Sequence, residues 1–97
     1  MKITVIGPGA IGLVLAGSLD SKNQVSVLTK PEAYEKLKQN GLWIKERNKK
    51  RKINAKISTE IDDSEIVIIA VKGYDLNTAV NLLHNFKGKV IICQNGL

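Results

Sequence analysis

Three glycines near the start of the chain, Gly7, Gly9 and Gly12, stand at G-x-G-x-x-G spacing within Gly7-Pro8-Gly9-Ala10-Ile11-Gly12. The chemistry this spacing serves is pyrophosphate binding. The first glycine permits a tight turn, the second lets backbone approach the phosphates, and the third lets a helix lie close to a strand. The phosphates then rest on the helix N-terminus, where unpaired N–H groups and the positive end of the dipole point at them. A bare strand-to-helix turn is the competing reading, and context weighs against it. The apolar run Lys2-Ile3-Thr4-Val5-Ile6 comes first, and an apolar helix over about Ile11–Leu19 follows, with Leu13, Ala16 and Gly17 available to face a sheet.

Four more polar residues suit a dinucleotide and its substrate. About 20 residues past such glycines, a domain that prefers NAD carries an Asp or Glu for the ribose 2′-hydroxyl. Here the second apolar run, Val25-Ser26-Val27-Leu28, leads into Thr29-Lys30-Pro31 instead. A hydroxyl and a cation there favour the 2′-phosphate of NADP(H). Thr29 also reads as a helix N-cap with Glu32 completing a capping box, unless Pro31 moves the cap to Lys30. Lys30 in turn has a plain solvated lysine as its competing reading. Lys72 follows the apolar run ending at Val71 and precedes Gly73-Tyr74-Asp75, where Asp75 suits a helix N-cap. At a ligand-binding strand end its ammonium can reach a ribose hydroxyl or a substrate carboxylate. Asn95, in Gln94-Asn95-Gly96, offers a donor and an acceptor to a carboxamide, hydroxyl or keto oxygen, against the reading of a plain Asn-Gly turn. His84 reads as a surface residue.

The elements that must position these groups alternate. Strands are expected near Lys2–Ile6, Gln24–Leu28, Glu65–Val71 and Lys89–Cys93, and helices near Ile11–Leu19, Pro31–Gln39 and Leu76–Phe86. Ile66-Val67-Ile68-Ile69-Ala70-Val71 is apolar throughout, as suits a parallel strand covered on both faces. Right-handed crossovers put the second strand on one side of the first and the strands at Ile66 and Val90 on the other. The fold class is α/β, a Rossmann-like doubly wound parallel sheet, forming one dinucleotide-binding domain over residues 1–97. Ligands gather at the carboxyl edge of such a sheet.

The chain has 97 residues, 43% hydrophobic and 25% charged, which suits a single core. No apolar run approaches the roughly 20 residues that span a bilayer, and the start lacks a signal-peptide pattern, so a cytoplasmic protein with no membrane partner is expected. Cys93, the single cysteine, lies in Val90-Ile91-Ile92-Cys93 and reads as a buried core thiol, so no metal site is expected. The net charge of +6 is local, because six basic residues and one acid between Lys45 and Lys52 give +5 in that segment. Leu42 and Ile44 before it, and Ile53, Ala55 and Ile57 after it, alternate at period two. The segment is therefore expected to be an inserted basic β-hairpin with Arg47 to Arg51 as its solvated turn. No nucleic-acid partner is expected, since Trp43 is the only nearby aromatic and no recognisable binding module surrounds it.

The glycine loop, the Lys30 region, Gly41-Leu42 with its hairpin, Val71-Lys72-Gly73-Tyr74-Asp75 and Gln94-Asn95-Gly96 together resemble the N-terminal cofactor domain of the ketopantoate reductase (2-dehydropantoate 2-reductase) family. The resemblance spans the whole chain, and V-K-x-Y-D followed by Q-N-G is its most specific part. It implies NADPH-dependent reduction of a small-molecule substrate, 2-dehydropantoate, to pantoate in pantothenate and coenzyme A biosynthesis. It sets Lys72 and Asn95 beside the nicotinamide ribose and the substrate. It also puts Lys30 where family members commonly carry an arginine, keeping the charge but losing the fork geometry. The family's catalytic lysine and substrate-binding glutamate belong to a helical C-terminal domain absent from these residues, so no catalytic residue is assigned. The chain is expected to bind NADP(H) without turnover and to form a homo-oligomer through its uncovered sheet edge. Two alternatives stay open: a non-catalytic dinucleotide-sensing regulatory domain, and a reductase of another 2-oxo acid.

Overall fold

Alternation along the central strand sets the architecture. In β1 (Lys2–Ile6), Ile3 and Val5 enter one core cluster while Ile6 enters a second, so both faces of the strand are covered. The structure, a computed structural model, describes residues 1–7, 9–70 and 76–93. β1 pairs in parallel with β2 (Gln24–Leu28) on one side and with β6 (Ile66–Ile69) on the other. The sheet has the order β5-β2-β1-β6-β7, all parallel, with β5 (Ala55–Ser58) and β7 (Lys89–Ile92) at its edges. Helices α1 (Ala10–Leu19) and α2 (Pro31–Asn40) lie over one face, where Ala16, Leu13 and Leu37 meet Val5, Val25, Val27 and Ile68. Over the other face, α3 (Leu76–Asn81) and the turn after it bring Ala79, Leu76, Leu83 and Phe86 to Ile6, Leu28, Val67 and Ile69. Each fully buried Val, Ile or Leu contributes about 1.5–3 kcal/mol. Among the described residues, no helix is long and apolar enough to cross a membrane.

The predicted order of four strands is present, and a fifth was not foreseen. Ala55 and Ile57 do not return along the hairpin but belong to β5, which pairs with β2 as a further parallel strand. The hairpin is shorter and consists of β3 (Trp43–Glu46) against β4 (Lys49–Lys52). Its turn is only Arg47-Asn48, with φ of 46° and 68°. Two consecutive positive φ values make the tight turn whose twist matches paired strands. The basic run is thus a strand rather than a solvated loop. Leu42 and Ile53, joined by the Ile53 N–H donating to the Leu42 carbonyl at 2.8 Å, root the hairpin in the core.

Three smaller expectations are corrected, and of the two caps left open for α2 the second is the one present. The third helix stops at Asn81, and turns carry the chain to Phe86. Cys93 is half-buried, because β7 is an edge strand with little over it. Lys30, not Thr29, is the N-cap of α2, with Pro31 fixing the first turn and no capping box formed. Gly17 faces the hairpin rather than the sheet, since a Cβ there would meet Ile44 Cδ1 at 2.6 Å.

One polar contact fastens the hairpin to α1. Asp20, the C-cap of α1, is buried and accepts from Arg51 Nη1 and from the Asn54 backbone N–H, each at 2.9 Å. Arg51 Nη2 also donates to the Gly17 carbonyl at 2.6 Å. An aspartate at a helix C-terminus opposes the dipole, and Arg51 supplies the cation that the last turn of α1 lacks. The Asn54 N–H, and then the Arg51 guanidinium, hold the Asp20 carboxyl below its ordinary value although burial pulls it upward. A carboxyl lowered by folding stabilises fully above its unfolded value, and that contribution is lost as pH falls through the folded value. Replacing Asp20 with alanine should cost on the order of 1–3 kcal/mol at neutral pH, because the part-buried Asn54 N–H and the Arg51 guanidinium lose their acceptor. Urea titrations across acid pH check this: the difference between the original chain and Asp20→Ala should shrink steadily below about pH 4.

Candidate functional site

Parallel pairing brings every strand of the main sheet to an end on one edge. Ser58, Leu28, Ile6, Ile69 and Ile92 form a single row of register partners. Beyond that row the Gly7 N–H donates to the Leu28 carbonyl at 3.1 Å and the Thr29 N–H to the Ser58 carbonyl at 2.8 Å. The Ala70 N–H donates to Ile6 at 2.9 Å and that of Cys93 to Ile69 at 2.8 Å. The glycine loop and the start of α2 therefore leave the sheet side by side.

The three glycines meet different constraints. Gly7 has φ of 106°, a left-handed value that strains any other residue. Gly12 lies against the end of β1, where an added Cβ would overlap the Gly7 carbonyl oxygen. Gly9 is the N-cap of α1, with extended backbone and no side-chain cap, and a Cβ there would meet nothing within 4 Å. No contact among the described residues explains a glycine at position 9. Its bare backbone opens onto the space in front of α1, where Ala10, Ile11 and Gly12 precede the first intrahelical bond, which runs from the Leu13 N–H to the Gly9 carbonyl at 2.9 Å. N–H groups aimed into open space beside a backbone with no side chain fit a pyrophosphate.

Lys30 stands at the same edge, exposed, directly after β2. Thr29 is buried, its backbone N–H committed to β5, so it meets the edge from beneath. Pro8, Lys72 and Asn95 lie outside the described residues. The strands that precede Lys72 and Asn95, β6 and β7, do end at this edge. Two open depressions lie elsewhere on the described surface: one surrounds Lys2, Asn23 and Glu65, and the other lies between Glu60 and Phe86. Sequence reasoning missed the Asp20–Arg51 clamp, for a C-cap aspartate and a distant arginine carry no spacing that marks them as a pair.

An α/β sheet with a glycine loop opening its first helix defines the class: a Rossmann-like doubly wound fold. The family model described as ketopantoate reductase PanE/ApbA matches residues 3–97. A 2-dehydropantoate 2-reductase of Listeria monocytogenes is 30% identical over 99% of this chain and 35% of its own length. Among solved structures, a probable 2-dehydropantoate 2-reductase of Bacillus subtilis superposes with a TM-score of 0.88 at 25% identity, over 99% of this chain and 34% of the other. A PanE/ApbA family ketopantoate reductase of Ralstonia eutropha shares the fold with a TM-score of 0.83 at 21% identity, over 99% and 35%. The chain belongs to the ketopantoate reductase family, a dinucleotide-binding oxidoreductase family, and spans about a third of the length of these relatives.

Gly9→Val and Gly12→Ala should separate binding from folding. The first should keep the melting temperature of the original chain within a few degrees and lose dinucleotide affinity by more than about 100-fold, since the added branch fills the phosphate space. The second should destabilise by about 1–3 kcal/mol or more through overpacking against backbone. Calorimetric titration and thermal circular dichroism on both variants measure the two effects.

Proposed function

We propose that the chain is the NADP(H)-binding half of an NADPH-dependent 2-dehydropantoate 2-reductase, with residues 1–97 as its dinucleotide-binding domain, acting in the cytoplasm. Family membership and the names of its relatives support the reaction. The observation that carries the cofactor choice is the end of β2, where Thr29-Lys30 stands in place of a carboxylate that would repel a 2′-phosphate. Bound NADPH supplies hydride to the substrate keto carbon. The N–H groups of α1 and the loop Gly7 to Gly12 hold the pyrophosphate, and Lys30 pairs with the 2′-phosphate. Lys72 and Asn95, by family resemblance, hold the nicotinamide ribose and orient the substrate. By family resemblance the catalytic lysine and substrate-binding glutamate belong to a helical domain outside the third of the relatives' length matched here, and residues 1–97 are read as binding the cofactor without turnover.

Removing the Lys30 cation should cost about 1.5–3 kcal/mol of NADPH binding, roughly 10- to 100-fold, and leave NADH binding nearly unchanged. Isothermal titrations of the original and Lys30→Ala chains with both cofactors test this. Equal losses for both, or an original chain that prefers NADH, would shift the reading to a non-catalytic NAD(H) sensor.

Self-association is the second expectation of this reading. Val90, Ile91 and Ile92 on the edge strand β7 are 42%, 46% and 52% exposed beside backbone groups that no described strand pairs. Sedimentation at high micromolar concentration should show dimers or larger species, and a strictly monomeric chain contradicts it.

A further inference from the structure

The hairpin carries charge that the dinucleotide site does not use. Ile44 and Arg51 are cross-strand partners that face α1, so the alternate pairs, Trp43 with Lys52 and Lys45 with Lys50, share the outer face. All four residues are exposed, and among the described residues none of these three lysines forms an ion pair. Lys45 and Lys50 stand directly opposite each other, an arrangement that weakens a strand pair. The Trp43 indole N–H donates to the Asn40 carbonyl at 2.8 Å, which orients a ring that is 47% exposed. A strand pair that keeps opposed lysines and an open indole on one face departs from what folding alone favours, and such departures mark binding surfaces. The hairpin touches α1 at Gly17 and Asp20, the end opposite the glycine loop, and ten helical residues span about 15 Å.

We propose that this outer face binds single-stranded nucleic acid, with backbone phosphates on Lys45, Lys50 and Lys52 and a base stacked on Trp43. A cationic track with an aromatic platform is the general means of holding single strands without sequence preference. The contrary expectation from sequence treated the run as a solvated turn; as a strand it shares a face with the indole. The same face of a second copy would set lysines against lysines and is repelled from this one, whatever the β7 edge does. An anionic bilayer needs a broader apolar face than one indole provides.

Fluorescence anisotropy of labelled oligothymidylate, titrated with the full 97-residue chain, tests the proposal. Binding should saturate and weaken roughly 100-fold for a tenfold rise in salt, as about three phosphate contacts require. Trp43→Ala should lower affinity about tenfold. Lys50→Glu should abolish binding while raising the melting temperature, because Lys45 then faces an acid. NADPH affinity should stay unchanged in both variants, which separates this surface from the cofactor site. Absence of binding at low salt overturns the proposal. So does equal affinity for polyglutamate or phosphatidylserine vesicles that Trp43→Ala leaves intact.

Discussion

The close approach of α1 to the end of β1 is the constraint on which the rest of the molecule depends. Without a Cβ at Gly12, the helix can start directly over the Gly7 carbonyl. That start aims its unpaired N–H groups along the carboxyl edge, and the return of the chain to β2 lets Leu28 accept from the Gly7 N–H. One missing side chain thus sets the helix position, the direction of its free N–H donors and the neighbouring strand end together.

The far end of the same helix shows how the local charge is used. Most of the net +6 lies in a hairpin that covers the α1 side of the sheet, yet only one of its cations is spent on folding. Arg51 engages the Gly17 carbonyl and Asp20, satisfying the helix C-terminus while Asp20 also receives the Asn54 N–H that leads into β5. The hairpin, the fifth strand and α1 are therefore joined at one carboxylate. Lys45, Lys50 and Lys52 face away from that contact, which divides the segment into an anchoring face and a charged outer face.

Unequal edges complete the picture. β5 ends the sheet with Lys56 exposed, a charge that discourages further pairing, whereas β7 leaves three large aliphatic residues open.

Much of the fold was legible because its signals are local. The unbroken apolar run at Ile66, the glycine spacing at Gly7 to Gly12 and the position of Lys30 after an apolar run depend on neighbours in sequence, and each marked its element or its edge of the sheet. What only the tertiary structure decided involves pairing at a distance. Ala55 and Ile57 have the same period-two pattern whether they return along a hairpin or join β2, and only the space beside β2 selects the second. Arg51 is one cation among six until Asp20, 31 residues earlier, is brought beneath it. Alternation states that a residue faces one side or the other; which partner waits on that side is set by how the whole sheet closes.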